Sequence, residues 1–172
     1  LGSMSRWGFG YLVGGTVTEQ PRPGNPKPRL LRYPERESLM NALGFPGQGL
    51  EAAARRLEDA GPATAGTPVV MSIAGTTVEE VVACHRRLEP LVDAIEVNIS
   101  SPNTAGLRVF HDPDALSDLV RRVSDGRSKP LMVKLPPYPA PGAGGDDPIE
   151  HALSLARACV DAGVDALTVA NS

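Results

Sequence analysis

Short apolar runs alternate with segments of helical periodicity along most of the chain. The runs are rich in Val, Ile and Leu, as parallel strands buried on both faces are, and they are too short for helices. The sequence predicts five such strands, at residues 11–17, 68–74, 94–100, 130–135 and 165–172.

The segments between the strands place apolar residues three or four positions apart, which predicts helices. The predicted helices span residues 34–44, 51–61, 76–91, 112–126 and 147–163. In residues 34–44 the helical pattern consists of the spacing of Leu39, Ala42 and Leu43. Asp112 and Pro113 are suited to a helix start and Gly126 to a helix end, and the helix that begins near Asp147 repeats this arrangement.

Strands separated by helices predict parallel β/α units, because parallel neighbours need a crossover connection. An α/β chain of this kind forms either an open doubly wound sheet or a (β/α)₈ barrel. There is no GxGxxG after the first strand, and polar residues collect at the carboxyl ends of several strands. They are Thr16, Thr18, Ser72, Asn98 to Asn103, Lys134, Asn171 and Ser172. A barrel draws its active site from many strand ends on one face, so the pattern favours a (β/α)₈ TIM barrel.

Five strands cannot close a barrel, which takes about 250 residues. Residues 1–172 are therefore interpreted as one partial barrel of roughly five β/α units. We expect the natural protein to be longer, with at least one strand before residue 11 and three after residue 172. Residues 136–148 are rich in Pro and Gly and are expected to form a mobile loop.

Composition excludes several classes of function. A net charge of −3 and a pI near 5.6, with Lys and Arg scattered along the chain, do not suit binding to nucleic acid. No run approaches the roughly 18 apolar residues of a membrane span, and the first ten residues lack the apolar core of a signal peptide. Cys84 and Cys159 are expected to be buried, reduced thiols of a cytoplasmic protein. His85, His111 and His151 lack metal-ligand spacing, so we predict no metal site and assign them surface or capping roles.

Chemistry is indicated first by the string GYLVGGTVTEQPRPGNPKPR, residues 10–29. Gly14 and Gly15 at a strand end would let a flat ligand approach the backbone, and Thr16 adds a hydroxyl. Taken alone, the glycines favour a simple turn before a Pro-rich loop. The whole string closely resembles the signature of the dihydroorotate dehydrogenases.

A second segment, NISSPNTAGLR at residues 98–108, is similar to the active-site loop of that family's quinone-reducing class. In that class the second Ser is the catalytic base, whereas the class with soluble acceptors carries Cys there. Three further segments resemble the family: SLMNALGF at residues 38–45, VKLPP at residues 133–137 and LTVANS at residues 167–172. The resemblance therefore covers nearly the whole chain.

The resemblance implies oxidation of dihydroorotate to orotate in pyrimidine biosynthesis, with FMN as cofactor and a quinone as final acceptor. Ser101 is then the base that takes the proton, Thr104 helps to pass it outward, and Phe45 belongs to the catalytic group. Without the resemblance, Ser101 would be a turn hydroxyl before Pro102. A quinone acceptor implies a cytoplasmic protein with peripheral contact to the inner face of the cell membrane, through segments outside this chain.

Asparagine offers a donor and an acceptor together, which matches the edge of a pyrimidine ring. The resemblance places five residues around the substrate: Asn41, Asn98, Asn103, Asn171 and Ser172. It places six at the cofactor: Gly15, Thr16, Ser72, Asn98, Lys134 and Asn171. A cation near N1 of a flavin stabilises the charge that develops on reduction, although a Lys at a strand end can also extend into solvent. Arg29 and Arg108 are either structural or attract an acidic substrate.

The sequence departs from the family at several positions. Ser72 stands where the quinone-reducing class usually has Asn, and residues 68–75 resemble the class with soluble acceptors. A Pro and Gly insert in residues 133–148 replaces a short acidic loop, and Ala170 and Ser172 replace two Thr. The loops after the seventh and eighth strands, which usually bind a phosphate in such barrels, are not in this sequence.

Two alternatives stay open. One is a related flavoenzyme that oxidises another dihydropyrimidine or uses a soluble acceptor. The other is a non-catalytic or degenerate barrel fragment whose edge strands are covered by a partner copy.

Overall fold

A computed structural model describes residues 3–61, 66–101, 106–137 and 147–169. The strands are β1 (Leu12–Val17), β2 (Leu30–Tyr33), β3 (Ser38–Asn41), β4 (Val69–Ile73), β5 (Ala94–Asn98), β6 (Leu131–Lys134) and β7 (Ala166–Thr168). The helices are α1 (Leu50–Ala60), α2 (Val78–Leu88), α3 (Pro113–Ser124) and α4 (Pro148–Asp161). Five strands form one parallel sheet in the order β1-β4-β5-β6-β7, while β2 and β3 form an antiparallel hairpin. The α/β prediction of successive β/α units is confirmed, as are all five of its strands.

Side chains alternate across the sheet, as the pleat of a strand requires. On β5, Ile95 and Val97 are almost completely buried in the hydrophobic core together with residues of the helices. Glu96 and Asn98 therefore face the opposite side, which is the interior side of the curved sheet. This alternation separates an apolar layer under the helices from a polar interior near the strand ends.

The capping predictions for the helices are confirmed. The Asp112 carboxylate accepts hydrogen bonds from the N–H groups of Asp114 and Ala115 at the start of α3. The Asp147 carboxylate accepts one from Ile149 at the start of α4. Each bond satisfies a backbone donor that the helix itself leaves without a partner.

The predicted helix at residues 34–44 is wrong. Residues 34–36 form a single 3-10 turn, Glu37 has a φ of 45°, and Ser38–Asn41 pairs with Leu30–Tyr33 as a hairpin. Seven of its eight strand residues are exposed, so neither face imposes a two-residue alternation on the sequence. The partner strand determines the conformation, and its backbone pairing overrides the helical spacing of three apolar residues.

The same pair of hydrogen bonds, made by an Asp, occurs twice at the amino-terminal ends of the strands. The sequence Val-Asp-Ala opens both β5 and β7, at residues 92–94 and 164–166. The Asp93 N–H donates to the Val69 carbonyl at 2.9 Å, and its carboxylate accepts from the Val69 N–H at 2.8 Å. Asp165 makes the same two bonds to Leu131, at 2.9 and 2.7 Å. Each Asp therefore fixes the register between its strand and the neighbouring strand.

Candidate active site

A pocket of about 800 Å³ opens at the carboxyl ends of β1, β5 and β6. The loop after the β2–β3 hairpin and the inner side of α1 complete its wall. Seven of the residues predicted for the site line it: Gly15, Thr16, Asn41, Phe45, Asn98, Ser101 and Lys134. The pocket thus brings together side chains that lie up to 119 positions apart in the sequence, from Gly15 to Lys134.

Four predicted site residues lie outside the described residues: Asn103, Thr104, Asn171 and Ser172. Most of the predicted mobile loop at 136–148 also lies outside them. Their roles stay predictions.

Hydrogen bonds connect the strand ends beneath the pocket. Asn98 Nδ2 donates to Thr16 Oγ1 at 2.9 Å, and Thr16 Oγ1 lies 3.1 Å from Ser72 Oγ. Ser72 is not among the residues that line the pocket, and it reaches the site through Thr16. This chain of polar groups ties the ends of β1, β4 and β5 to one another.

The amide of Asn98 has a fixed orientation. Its Oδ1 accepts from the Ser100 backbone N–H at 3.0 Å and from Ser100 Oγ at 2.7 Å. A backbone N–H can only donate, so the atom that faces it must be the amide oxygen. Asn98 is therefore partnered by the protein on both atoms of its amide, and no ligand is needed to satisfy them. What it can still offer a ligand is the second proton of Nδ2. Sequence reasoning missed Ser100, although its place directly before Ser101 was a signal.

Gly15 gives the pocket a wall without a side chain. Its φ is 103°, in the region that favours glycine, and a Cβ there would lie 2.4 Å from the Ser72 carbonyl oxygen. Only glycine fits this position, so the backbone next to Thr16 stays open to a flat ligand.

Lys134 lies at the end of β6, in register with Asn98 on one side and Thr168 on the other. Its side chain is partly buried and lines the pocket. Within the described ranges it forms no ion pair with a carboxylate. The ammonium is therefore available to an electron-rich group in the pocket.

The hairpin that carries Asn41 is held by the loop before it. Asn25 donates through Nδ2 to the Ala42 carbonyl at 2.8 Å, and its N–H donates to the Leu43 carbonyl at 2.9 Å. Arg29 donates to the Pro23 and Asn25 carbonyls at 2.6 and 3.2 Å. Of the two roles left open for Arg29, these contacts favour the structural one.

Phe45 follows this hairpin with a φ of 55°, which is unusual for a bulky residue. Antiparallel backbone bonds of 2.9 Å between Arg22 and Gly47 hold the segment in place. The ring packs partly against the core while it lines the pocket.

The other candidate reactive groups are structural. Cys84 and Cys159 are free and buried, as predicted, and burial raises the pKa of each thiol to about 12. Neither thiol is a nucleophile at neutral pH. His85 was assigned a surface or capping role, and its burial shows that the surface alternative is wrong. Burial lowers the pKa of His85, although Glu89 nearby opposes this. The His111 ring contacts the Ile99 carbonyl at 2.8 Å and ties down the segment after β5. Among the described residues, no group of His, Cys, Asp or Glu side chains could hold a metal ion.

Comparison with known proteins shows the family to which the chain belongs. The family model described as dihydroorotate dehydrogenase matches residues 2–143, which is more than half of the chain. The chain belongs to the dihydroorotate dehydrogenase family. This family is flavin-dependent in general.

Curated relatives and solved structures give the same assignment. A dihydroorotate dehydrogenase (quinone) of Anaeromyxobacter sp. strain K is 40% identical over 91% of this chain and 45% of its own length. The one from Chloroflexus aurantiacus strain J-10-fl is 39% identical over 96% of this chain and 47% of its own. A ligand-free DHODH of Eimeria tenella superposes with a TM-score of 0.79 at 26% identity, over 96% of this chain and 52% of that one. The chain thus spans about half the length of these relatives.

No helix within the described ranges is long and apolar enough to cross a membrane.

Proposed function

We propose that the protein oxidises dihydroorotate to orotate in pyrimidine biosynthesis, with FMN as cofactor and a quinone as final acceptor. The observation that carries the proposal is the pocket in which Thr16, Asn98, Ser101 and Lys134 meet at the strand ends. Its polar groups are few and fixed, and its walls are largely apolar, as suits a planar ligand. The names of the relatives and the Ser at position 101 support the quinone-reducing type.

The residues present fit a flavin. The side-chain-free wall at Gly15 offers a close approach to a flat ring, and a Cβ there is excluded by the Ser72 carbonyl. Gly15, Thr16, Asn98 and Lys134 would hold the ring, with Ser72 acting through Thr16. The family resemblance adds Asn171 to this set. FMN, when bound, supplies the hydride acceptor for the reaction.

The chain's own residues then have distinct tasks. Oxidation of a dihydropyrimidine removes a proton from one ring carbon and a hydride from its neighbour. Ser101 takes the proton, and Thr104 helps to release it, because a hydroxyl on its own is a weak base. Phe45 lines the pocket and keeps water from the reacting carbons.

The amides orient the substrate. Because Oδ1 of Asn98 is occupied by Ser100, this residue donates its remaining proton to a carbonyl or carboxylate oxygen of the ligand. Asn41 reaches the pocket from the hairpin. The family resemblance assigns Asn103, Asn171 and Ser172 to the same task. Lys134 stabilises negative charge that develops opposite the base.

A quinone acceptor resides in a membrane. We therefore propose that the full-length protein is cytoplasmic and lies peripherally on the inner face of the cell membrane. Sedimentation with vesicles that contain quinone tests this, and a protein that reduces fumarate or NAD instead of quinone would contradict the choice of acceptor.

The test of the reaction uses the purified full-length protein. Its yellow flavin absorbance should bleach when dihydroorotate is added without oxygen. Ser101→Ala should bleach at least about 100-fold more slowly, since general base catalysis contributes about that much, while flavin binding is retained.

Ser154→Ala is the matched control, because Ser154 lies on α4 away from the residues that line the pocket and donates to the His151 carbonyl. It should bleach at the wild-type rate. Bleaching of Ser101→Ala at an undiminished rate would remove Ser101 as the base, and a colourless protein would favour the non-catalytic scaffold.

A further inference from the structure

A buried carboxylate lies below the pocket and has no task in the proposed reaction. Glu96 is in the middle of β5, is 5% exposed and does not line the pocket. It lies two positions before Asn98, so both side chains leave the same face of the strand. The site therefore stands directly over an acidic group.

The Glu96 carboxylate accepts a hydrogen bond from a residue two strands away in the sheet. Thr168 Oγ1 on β7 donates to Glu96 Oε2 at 2.7 Å, although β6 lies between β5 and β7. The threonine hydroxyl supplies a donor but no positive charge. A single hydroxyl does not offset the cost of burying a negative charge, so a positive charge should lie nearby.

Lys134 is placed to be that charge. It pairs in register with Asn98 on β5 and with Thr168 on β7, while Glu96 pairs with Met132. The ammonium of Lys134 and the carboxylate of Glu96 thus belong to adjacent rows on the same face of the sheet. They form no direct ion pair in the described part of the chain, so their interaction acts through space.

We propose that Glu96 is the counter-charge of Lys134 and that it limits how strongly Lys134 attracts electrons into a ring bound above it. Glu96 is a positioning residue, because it acts through Lys134 and does not touch the ligand. Two opposite charges several ångströms apart at an effective dielectric constant of about 20 change an equilibrium constant by about tenfold or more. The effect on the ring rests on the proposed function, whereas the coupling of the two charges does not.

The first test is a double-mutant cycle on the flavin-free full-length protein, with Glu96→Gln, Lys134→Met and the double variant. Gln keeps the acceptor for Thr168, and Met keeps most of the unbranched apolar part of Lys, so mainly the charges change. We expect the folding equilibrium constant of the double variant to exceed the value expected from independent effects by about tenfold. As a control, Glu79→Gln with Lys134→Met should show independent effects, because Glu79 is 76% exposed on α2.

The second test is the redox equilibrium of the bound flavin against a reference dye. Removing a negative charge below the ring favours the reduced form, so Glu96→Gln should shift this equilibrium toward reduced flavin by about tenfold. A merely structural role for Glu96 would lower the thermal stability without this shift.

The outcomes separate the two proposals. Independent effects of Glu96→Gln and Lys134→Met within twofold would overturn the counter-charge, whether or not the protein binds flavin. A clear coupling in a protein that binds no flavin would uphold the counter-charge and reject the proposed function. A coupling between Glu96 and Lys134 without any change in the redox equilibrium of the flavin would overturn the proposed effect of Glu96 on the bound ring.

Discussion

The two ends of the parallel sheet use polar groups in different ways. At the amino-terminal end, the carboxylates of Asp93 and Asp165 accept hydrogen bonds from the first N–H of a neighbouring strand. At the carboxyl end, the neutral side chains of Thr16, Asn98 and Ser100 bond to one another around an open pocket. The first set is committed to the backbone, whereas the second keeps donors available for a ligand.

The charged groups show the same contrast. Glu89 accepts from the Ser128 and Lys129 N–H groups at 2.7 and 2.9 Å, and Arg127 pairs with Asp165. Lys134, at the other end, has no such partner in the described ranges. In a barrel the amino-terminal face contributes stability and the carboxyl face carries the reaction, and these contacts assign the two tasks to separate residues.

The largest effect should come from Asn98→Asp at the carboxyl end. One carboxylate oxygen still accepts from Ser100, and the other can accept the Thr16 hydroxyl proton, so the fold is retained. The donor to the ligand is lost, and flavin bleaching by dihydroorotate should slow by about 100-fold or more. The measurement is anaerobic bleaching together with the urea midpoint of unfolding. A rate within threefold of wild type would mean that the fixed amide does not contact the ligand.

A smaller effect, on stability and not on activity, is expected from Asp165→Ala at the amino-terminal end of the sheet. The variant leaves the Leu131 N–H without its acceptor and Arg127 without its ion pair. We expect the free energy of unfolding to fall by about 1–2 kcal/mol, because the pair is partly exposed, while activity per folded molecule is unchanged. Urea unfolding measures this, with Asp161→Ala at the exposed end of α4 as a control. Loss of activity without loss of stability would break the contrast between the two ends.

Much of this architecture could be predicted from sequence because buried strands leave a strong pattern. The five apolar runs fixed the strands, and the rule that strand ends converge brought Thr16, Asn98 and Lys134 together. The hairpin at Leu30–Tyr33 and Ser38–Asn41 was missed because exposed strands leave no alternation.

The details of the site depend on distant contacts. The direction of the Asn98 amide is decided by Ser100 on one side and by Thr16, 82 positions away, on the other. Spacing along the chain carries no information about such an orientation. The repeated hydrogen bonds of Asp93 and Asp165 were visible in the sequence, since Val-Asp-Ala opens both β5 and β7.

The smallest effect is a loss of stability at acidic pH. It should arise from Glu89, near the amino-terminal end of the parallel sheet. Burial raises the pKa of this carboxyl, but the Ser128 and Lys129 N–H groups outweigh burial and hold it below the ordinary value of 4.5. The folded state therefore binds this proton less readily than the unfolded state does. The stabilisation is fully present above about pH 4.5 and is lost as pH falls through the lower folded pKa. Urea midpoints of wild type and Glu89→Gln should differ at pH 7 and converge on acidification. A difference that stays constant with pH would show that Glu89 stabilises the fold without its charge.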